Sequence, residues 1–237
     1  ELIEQVGEKI IEQERFKPTK IIKTPKGETV IDFGQNLAGY VEISLTASSG
    51  DIISLSFAET LDRNGNFYKE NYRTAKCQYT YICKDGKQTF KPTLTFYGYR
   101  YIRLDEYPIE VNADDFTSIA VYSELERTGY IETSDCLLNQ LFSNTLWGQR
   151  SNFLDVPTDC PQRNERMGWT GDAQVFIRTA SYNYNVNKFF EKWLDDMALN
   201  QSENGAIPMV VPFEKGCPNI SAAWSDAVAI CTWQLYL

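Results

Sequence analysis

The apolar residues of this chain change their period once, near residue 125, and that change decides most of what the chain can become. Before it, short runs alternate apolar with polar residues or stay apolar throughout, as strands buried on one or both faces do. These runs are VIDFGQ (30–35), YVEISLTA (40–47), DIISLSFAE (51–59), CQYTYIC (77–83), QTFKPTLTF (88–96), YRYIRLDEY (99–107) and TSIAVYSEL (117–125). Gly34, Gly39 and Gly50 punctuate the first of them, KDGK (84–87) forms a turn, and LDRNGNFYKE is a turn-rich insert with an Asn-Gly pair. Residues 1–20 supply either a leading strand or a linker. Many short strands between turns predict an antiparallel, jelly-roll-like β-sandwich.

After the change, Leu137, Leu138, Leu141, Phe142 and Leu146 recur at helical spacing. Ser134 is placed to cap that helix, with Asp135 in its first turn. Further helices are predicted from about Asp172 to Tyr182, over FFEKWLDDMAL (189–199), and from SDAVAICTWQLYL after a loop at 205–221. Strands first and helices after give two domains, 1–124 and 125–237. With 237 residues, 43% of them hydrophobic, the chain can bury real cores and is not a disordered one. It starts at Glu1 without methionine and stops inside a helical pattern, so it reads as a piece of something longer.

Several classes of function drop out. The net charge is −9 and lysine and arginine form no cluster, so no basic face is available to a nucleic acid. No apolar run approaches the roughly 20 residues that span a bilayer. There is no histidine, which removes Ser-His-Asp and Cys-His chemistry and the histidine metal motifs. The six cysteines (Cys77, Cys83, Cys136, Cys160, Cys217, Cys231) form no CxxC pair, so zinc ribbon and thioredoxin motifs are out. Their scatter suits buried thiols and favours the cytoplasm over a secreted or periplasmic place, although Cys77 and Cys83 face each other across a predicted hairpin. Aromatics reach 14%, enough either for a large aromatic core or for flat surfaces that take sugar rings.

Acid–base work then falls to carboxylates, lysine, tyrosine or cysteine, and one segment concentrates carboxylates. DVPTDCPQRNERMGWTGD (155–172) holds Asp155, Asp159, Glu165 and Asp172 with Arg163, Arg166 and Trp169. Neither apolar period runs through it. Pro157 and Pro161 stiffen it, and Gly168 and Gly171 permit close approach. Taken singly, each residue has a plain explanation: turn residues for Asp155 and Asp159, a helix cap for Asp172, a surface ion pair for Glu165, core for Trp169. Together, braced backbone and converging charge describe a preformed polar site.

Carboxylates beside an aromatic wall suit glycoside hydrolysis, in which one carboxylic acid protonates the leaving oxygen and a second carboxylate acts as base or nucleophile. Glu165 is the candidate acid. Its neighbours Arg163 and Arg166 work against that role, since a nearby cation favours the ionised carboxylate. No cofactor or metal is called for; Asp159 and Asp172 lack the spacing of an EF-hand calcium loop.

The stretch DCPQRNERMGWTGDAQVF (159–176) resembles the bacterial α-L-rhamnosidase family of glycoside hydrolases. ETVIDFGQNLAGYVEI, FKPTLTFYGYRYIRL and AAWSDA look like that family too, so the resemblance covers nearly the whole chain. It implies a concanavalin-like β-sandwich followed by the first helices of an (α/α)6 barrel. It implies Glu165 as general acid, with Asp159, Arg163, Trp169 and Asp172 lining a rhamnose subsite and Trp224 and Asp226 at the barrel mouth. The implied activity is inverting release of terminal α-L-rhamnose from a rhamnose-containing glycan or glycoside. The family's general base is a glutamate well downstream of AWSDA, so this chain is expected to be inactive alone and to need the remainder of its parent chain. Competing expectations are a glycosidase of the same barrel type acting on another sugar, and a non-catalytic carbohydrate-binding fragment using sandwich aromatics such as Tyr97 or Tyr99.

Overall fold

A computed structural model describes residues 2, 4, 6–213 and 220–237. The strands are β1 (Ile10–Phe16), β2 (Lys20–Lys23), β3 (Thr29–Ala47), β4 (Ile52–Ala58), β5 (Thr60–Leu61), β6 (Phe67–Tyr68), β7 (Gln78–Ile82), β8 (Gly86–Phe90), β9 (Tyr97–Glu106) and β10 (Phe116–Ser123). Then come α1 (Cys136–Asn152), a small hairpin of β11 (Phe153–Leu154) and β12 (Val156–Pro157), α2 (Thr170–Asn183), α3 (Asn187–Leu199) and α4 (Ala227–Tyr236). The order is the expected one: an antiparallel sheet of strands curled into a sandwich, then helices. Two compact units divide the chain. One is Glu12–Val121 with Pro161–Glu165; the other holds the stretch ending at Ile11, Tyr122–Cys160 and Arg166–Leu237.

In the strand unit the sheet runs β1-β10-β3-β9-β4-β7, with β2 and β8 also paired to β3. Strand β3 organises it. VIDFGQ and YVEISLTA, expected as two strands parted by glycines, form this one 19-residue strand. One of its flanks pairs first with β2 and then with β10, and the other pairs with β9 and then β8. Its register on β9 shifts between Asp32 and Leu37, where a bulge takes up the extra residues. A strand that changes partners across a bulge bends, and so curls the sheet. The other miss is QTFKPTLTF: β8 stops at Phe90 because Pro92 has no N–H to give a ladder. Val41, Ile43 and Leu45 alternate inward along β3, and Ile53, Leu55 and Phe57 line β4. Tyr99 is fully buried, with Phe57 edge-on at 4.9 Å and its hydroxyl hydrogen-bonded to Ser118 at 2.7 Å.

In the helical unit, Asp135 rather than Ser134 caps α1, its carboxylate accepting the Leu137 N–H at 2.8 Å. The cap is one residue later than read because Asp135 already has extended backbone and reaches two residues forward. Helix α2 starts at Thr170, two residues before its expected start. Phe189, Phe190 and Trp193 of α3 are buried with Ile177 and Ala180 of α2 and Cys231 of α4. Phe153 stacks on Phe189 with centroids 4.6 Å apart, and the Trp193 indole donates to the Val211 carbonyl at 3.0 Å. Removing a ring from such a core costs about 3–5 kcal/mol. Among the described cysteines (Cys77, Cys83, Cys136, Cys160 and Cys231) there is no disulfide, the Cys77–Cys83 pair included; Cys217 lies outside the described residues. No described helix is long and apolar enough to cross a membrane.

Candidate active site

The charged segment is assembled from its turns outward. Asp155 sits between β11 and β12 with φ at +68°, a turn conformation, its N–H on the Ser123 hydroxyl at 3.0 Å. Its carboxylate takes the Lys192 ammonium at 2.9 Å. Burial pushes Lys192 towards its neutral form, but hydrogen bonds and charge from Asp155 and Asp196 prevail and raise its pKa. Asp155 is therefore a structural turn residue.

Asp159 brackets the loop that follows. Its N–H donates to the Met167 carbonyl at 3.0 Å and its carboxylate accepts the Met167 N–H at 2.8 Å. It is only partly buried and lines a cavity of about 730 Å³ in the helical unit. Asp172 and Trp224 line the same cavity. Asp172 lies in the first turn of α2, whose N-cap is Trp169. There the helix dipole favours a carboxylate without the side chain acting as the cap. The Trp224 ring lies against Gly171, where a Cβ would stand 2.5 Å from the indole. A glycine is required at that point for the ring to reach the cavity wall.

Trp169 is half-buried, and its indole N–H is buried with no hydrogen-bond partner among the described residues. An unpaired buried donor costs about 1–3 kcal/mol, so this position is poised for an acceptor. Asp226 is exposed and takes the Ala223 N–H at 3.0 Å, a local turn contact, and it does not line the cavity.

Glu165 and Arg163 belong to the strand unit by their packing. One Glu165 oxygen, Oε2, accepts from Arg163 Nε at 2.8 Å and from Arg73 Nη1 at 3.1 Å. The expected ion pair with Arg163 is present, and a second guanidinium from a distant part of the sequence joins it. Both contacts favour the ionised carboxylate.

Sequence reasoning missed the polar wall that α1 gives the cavity. Thr145, Gln149 and Asn152 stand at i, i+4 and i+7, one helical stripe on the same face as Leu138 and Leu141, and that run of polar residues along the leucine face was the available signal. It also missed Gln174, whose amide N–H contacts the Ala223 carbonyl while its buried Oε1 has no partner among the described residues. Arg73 gave no signal at all. Backbone at positive φ recurs around these groups, at Arg73, Asp155, Arg166 and Ala223, as it does where a fold holds functional side chains in place.

Two family models together match most of the chain. The bacterial alpha-L-rhamnosidase concanavalin-like domain covers residues 22–122, and the bacterial alpha-L-rhamnosidase 6 hairpin glycosidase domain covers 126–237. The chain belongs to the bacterial α-L-rhamnosidase family. A curated α-L-rhamnosidase from Formosa agariphila is 40% identical over 210 residues, 87% of this chain and 23% of that protein. The solved Streptomyces avermitilis α-L-rhamnosidase complexed with L-rhamnose superposes with a TM-score of 0.95 at 36% identity, covering 99% of this chain and 23% of that one. The native Aspergillus terreus enzyme gives 0.91 at 36% identity, covering 97% and 27%. The chain thus spans about a quarter of the length of the rhamnosidases it matches. Within the family architecture, Tyr99 is too deeply buried to form a surface platform for glycan.

Proposed function

We propose that this chain carries the proton-donating half of an α-L-rhamnosidase site. It would release terminal α-L-rhamnose from a glycan or glycoside by an inverting acid–base mechanism. The 1–124 and 125–237 portions serve as two domains of that enzyme, and the remainder of the parent chain is their partner. The observation that carries this reading is Glu165, fixed by two guanidinium groups within a proline-braced segment of a chain that has no histidine.

Glu165 donates the proton to the leaving oxygen. To do so it must be protonated when substrate is bound, so Arg163 turns partly towards the sugar as the site fills while Arg73 keeps its hold on the carboxyl. Asp159 and Asp172 accept hydroxyl groups of the sugar, a charge-assisted contact. The buried Trp169 N–H offers a donor to a ring or hydroxyl oxygen, and Trp224 presents an aromatic face to the C–H side of the ring. Arg163 orients Glu165 and reaches sugar hydroxyls, and Asp226 fixes the turn that carries Trp224. Inversion needs a water between acid and base carboxyl groups about 6.5–9.5 Å apart, and in this reading the base lies outside residues 1–237. Those residues alone are then expected to give no turnover.

The test is hydrolysis of an aryl α-L-rhamnoside by the full-length protein, with the product anomer followed by NMR. The inverted anomer is expected first, and Glu165→Gln should lower turnover of substrates with poor leaving groups by about 100-fold or more while leaving rhamnose affinity near its original value. Loss of affinity with turnover intact would make Glu165 a binding residue. Activity confined to another glycoside would keep the mechanism and replace the sugar.

A further inference from the structure

The segment Pro161–Glu165 interrupts a helical stretch of sequence, yet it packs as part of the strand unit. Its ties there are specific. Pro161 and Gln162 lie on Gly98 of β9 so closely that a Cβ at Gly98 would stand 2.8 Å from Gln162 Cβ and 3.0 Å from the Pro161 carbonyl carbon. Gln162 donates its amide to Glu59 at 2.9 Å, and its backbone carbonyl accepts the Cys77 thiol at 3.1 Å. Asn164 donates to the Thr74 hydroxyl at 2.6 Å, and Glu165 accepts from Arg73. Glu59, Arg73, Thr74 and Cys77 all come from one stretch, the turn-rich insert between β4 and β7.

That insert is itself held taut. Arg73 has φ 57° and ψ −118°, a conformation that side chains other than glycine rarely take. Beside it Tyr72 is buried and donates its hydroxyl to the Gly98 carbonyl at 2.5 Å. Burial drives the Tyr72 phenol strongly towards its neutral form, so it remains a donor. One anchor, Gly98, therefore meets both the insert and the segment that bears the acid. A strained residue persists only where its surroundings over-determine it, and here what they determine is where the Arg73 guanidinium sits.

We propose that the 59–77 insert of the strand domain is a positioning arm for the proton-donating carboxyl, with Arg73 as its positioning residue. The inference rests on Glu165 as the general acid. Arg73 and Arg163 grip the same oxygen, Oε2, which fixes the place of that oxygen from two donors. Proton transfer in the transition state depends on that alignment, and a misplacement of about 1 Å can cost on the order of 100-fold.

The experiment compares an alkyl α-L-rhamnoside, whose leaving oxygen needs the proton, with a nitrophenyl rhamnoside, whose leaving group departs largely unaided. In the full-length protein kcat and KM are measured for Arg73→Gln, Arg73→Lys and Thr74→Ala, with Glu165→Gln alongside. Arg73→Gln is expected to lower kcat on the alkyl rhamnoside by about 10- to 100-fold, with KM and the nitrophenyl rate changed by less than about threefold. Arg73→Lys should recover most of the loss, and Thr74→Ala should show a smaller loss of the same kind. Three results would overturn the proposal. The first is Arg73→Gln matching the parent on the alkyl rhamnoside while Glu165→Gln does not. The second is a loss that falls equally on both substrates, with a lower Tm and no recovery by lysine, which marks a structural residue. The third is Arg73→Gln faster than the parent, which means the arginine restrains the acid instead of aiming it. If Glu165→Gln itself still cleaves the alkyl rhamnoside, the acid assignment fails and the arm falls with it.

Discussion

Asp32 is a buried carboxylate of the strand unit with a bidentate partner. It is 6% exposed, and Arg100 grips it with two bonds, Nε to Oδ1 and Nη2 to Oδ2, both 2.8 Å. The Gly34 N–H adds a third at 2.7 Å, inside the β3 bulge. Burial is the largest single influence and pushes the Asp32 carboxyl up, but Arg100 and Gly34 together outweigh it and hold the pKa below its usual value. A carboxylate with a depressed folded pKa stabilises fully above its unfolded value of about 3.9, and its contribution fades as the pH falls through the folded value. Asp32→Asn should therefore lower the unfolding free energy near neutrality by about 1–3 kcal/mol, with Arg100 partly solvated and the loss correspondingly moderate. Denaturant unfolding at several acid pH values would check it. The variant should lose less stability than the parent as pH drops below about 4, and equal acid sensitivity in the two would show that the pair contributes nothing. The role of Asp32 was not legible in the sequence, where it was one more polar residue in VIDFGQ, because its partner lies 68 residues away. Glu165 and its neighbouring arginine were legible because they are adjacent, whereas Arg73 was hidden by the same distance that makes it informative.

At the scale of elements, the start of α2 ties local sequence to the cavity. Gly171 occupies the first turn of the helix with Trp224 pressed on it. Alanine would be the better helix former by about 1 kcal/mol, yet its methyl has no room. Gly171→Ala should destabilise by about 1–3 kcal/mol and displace the Trp224 ring. Thermal unfolding and tryptophan fluorescence would report the two effects. A variant more stable than the parent, with unchanged fluorescence, would mean the ring moves freely and helix propensity prevails. The elements that could be read from the chain were those whose pattern is local. The helical period located the four α-helices among the described residues to within two or three residues, and strand alternation located β4, β7, β9 and β10. The failures were long-range. Gly34 and Gly39 resembled turns, but Gly34, with φ at +80°, forms part of the β3 bulge, and Gly39 is paired on both flanks, to Tyr97 and Ala120. The leucine stripe of α1 was correctly helical without being core: Leu146 is buried, whereas Leu137, Leu138 and Leu141 are exposed. Periodicity gives the helix, and which of its faces meets a neighbour depends on tertiary contacts that no window of sequence contains.

At the scale of the molecule, the apolar surface of the helical unit is unevenly covered. Leu137 is 76% exposed, Val175 80% and Trp233 56%, on α1, α2 and α4 respectively. On α4, Trp233 stacks on Tyr236 at 5.5 Å, and with Val228, Ala229 and Thr232 they line an open groove of about 400 Å³. Water around such a groove is released when another apolar surface covers it, at about 25 cal/mol per Å² buried. Single exposed leucines are ordinary on a soluble protein, but grouped aromatic and aliphatic side chains mark a surface that associates. Residues 1–237 in isolation should therefore bind a hydrophobic dye in the folded state and self-associate as concentration rises. Trp233→Glu with Tyr236→Lys should reduce both while leaving the thermal transition within a few degrees, because neither side chain belongs to the buried core. Light scattering across a concentration series, with dye fluorescence in parallel, would decide. Monodisperse behaviour without dye binding would mean the α4 groove is satisfied by its own side chains, whereas association abolished by the double variant would place the sticking surface on α4 rather than on the leucines of α1.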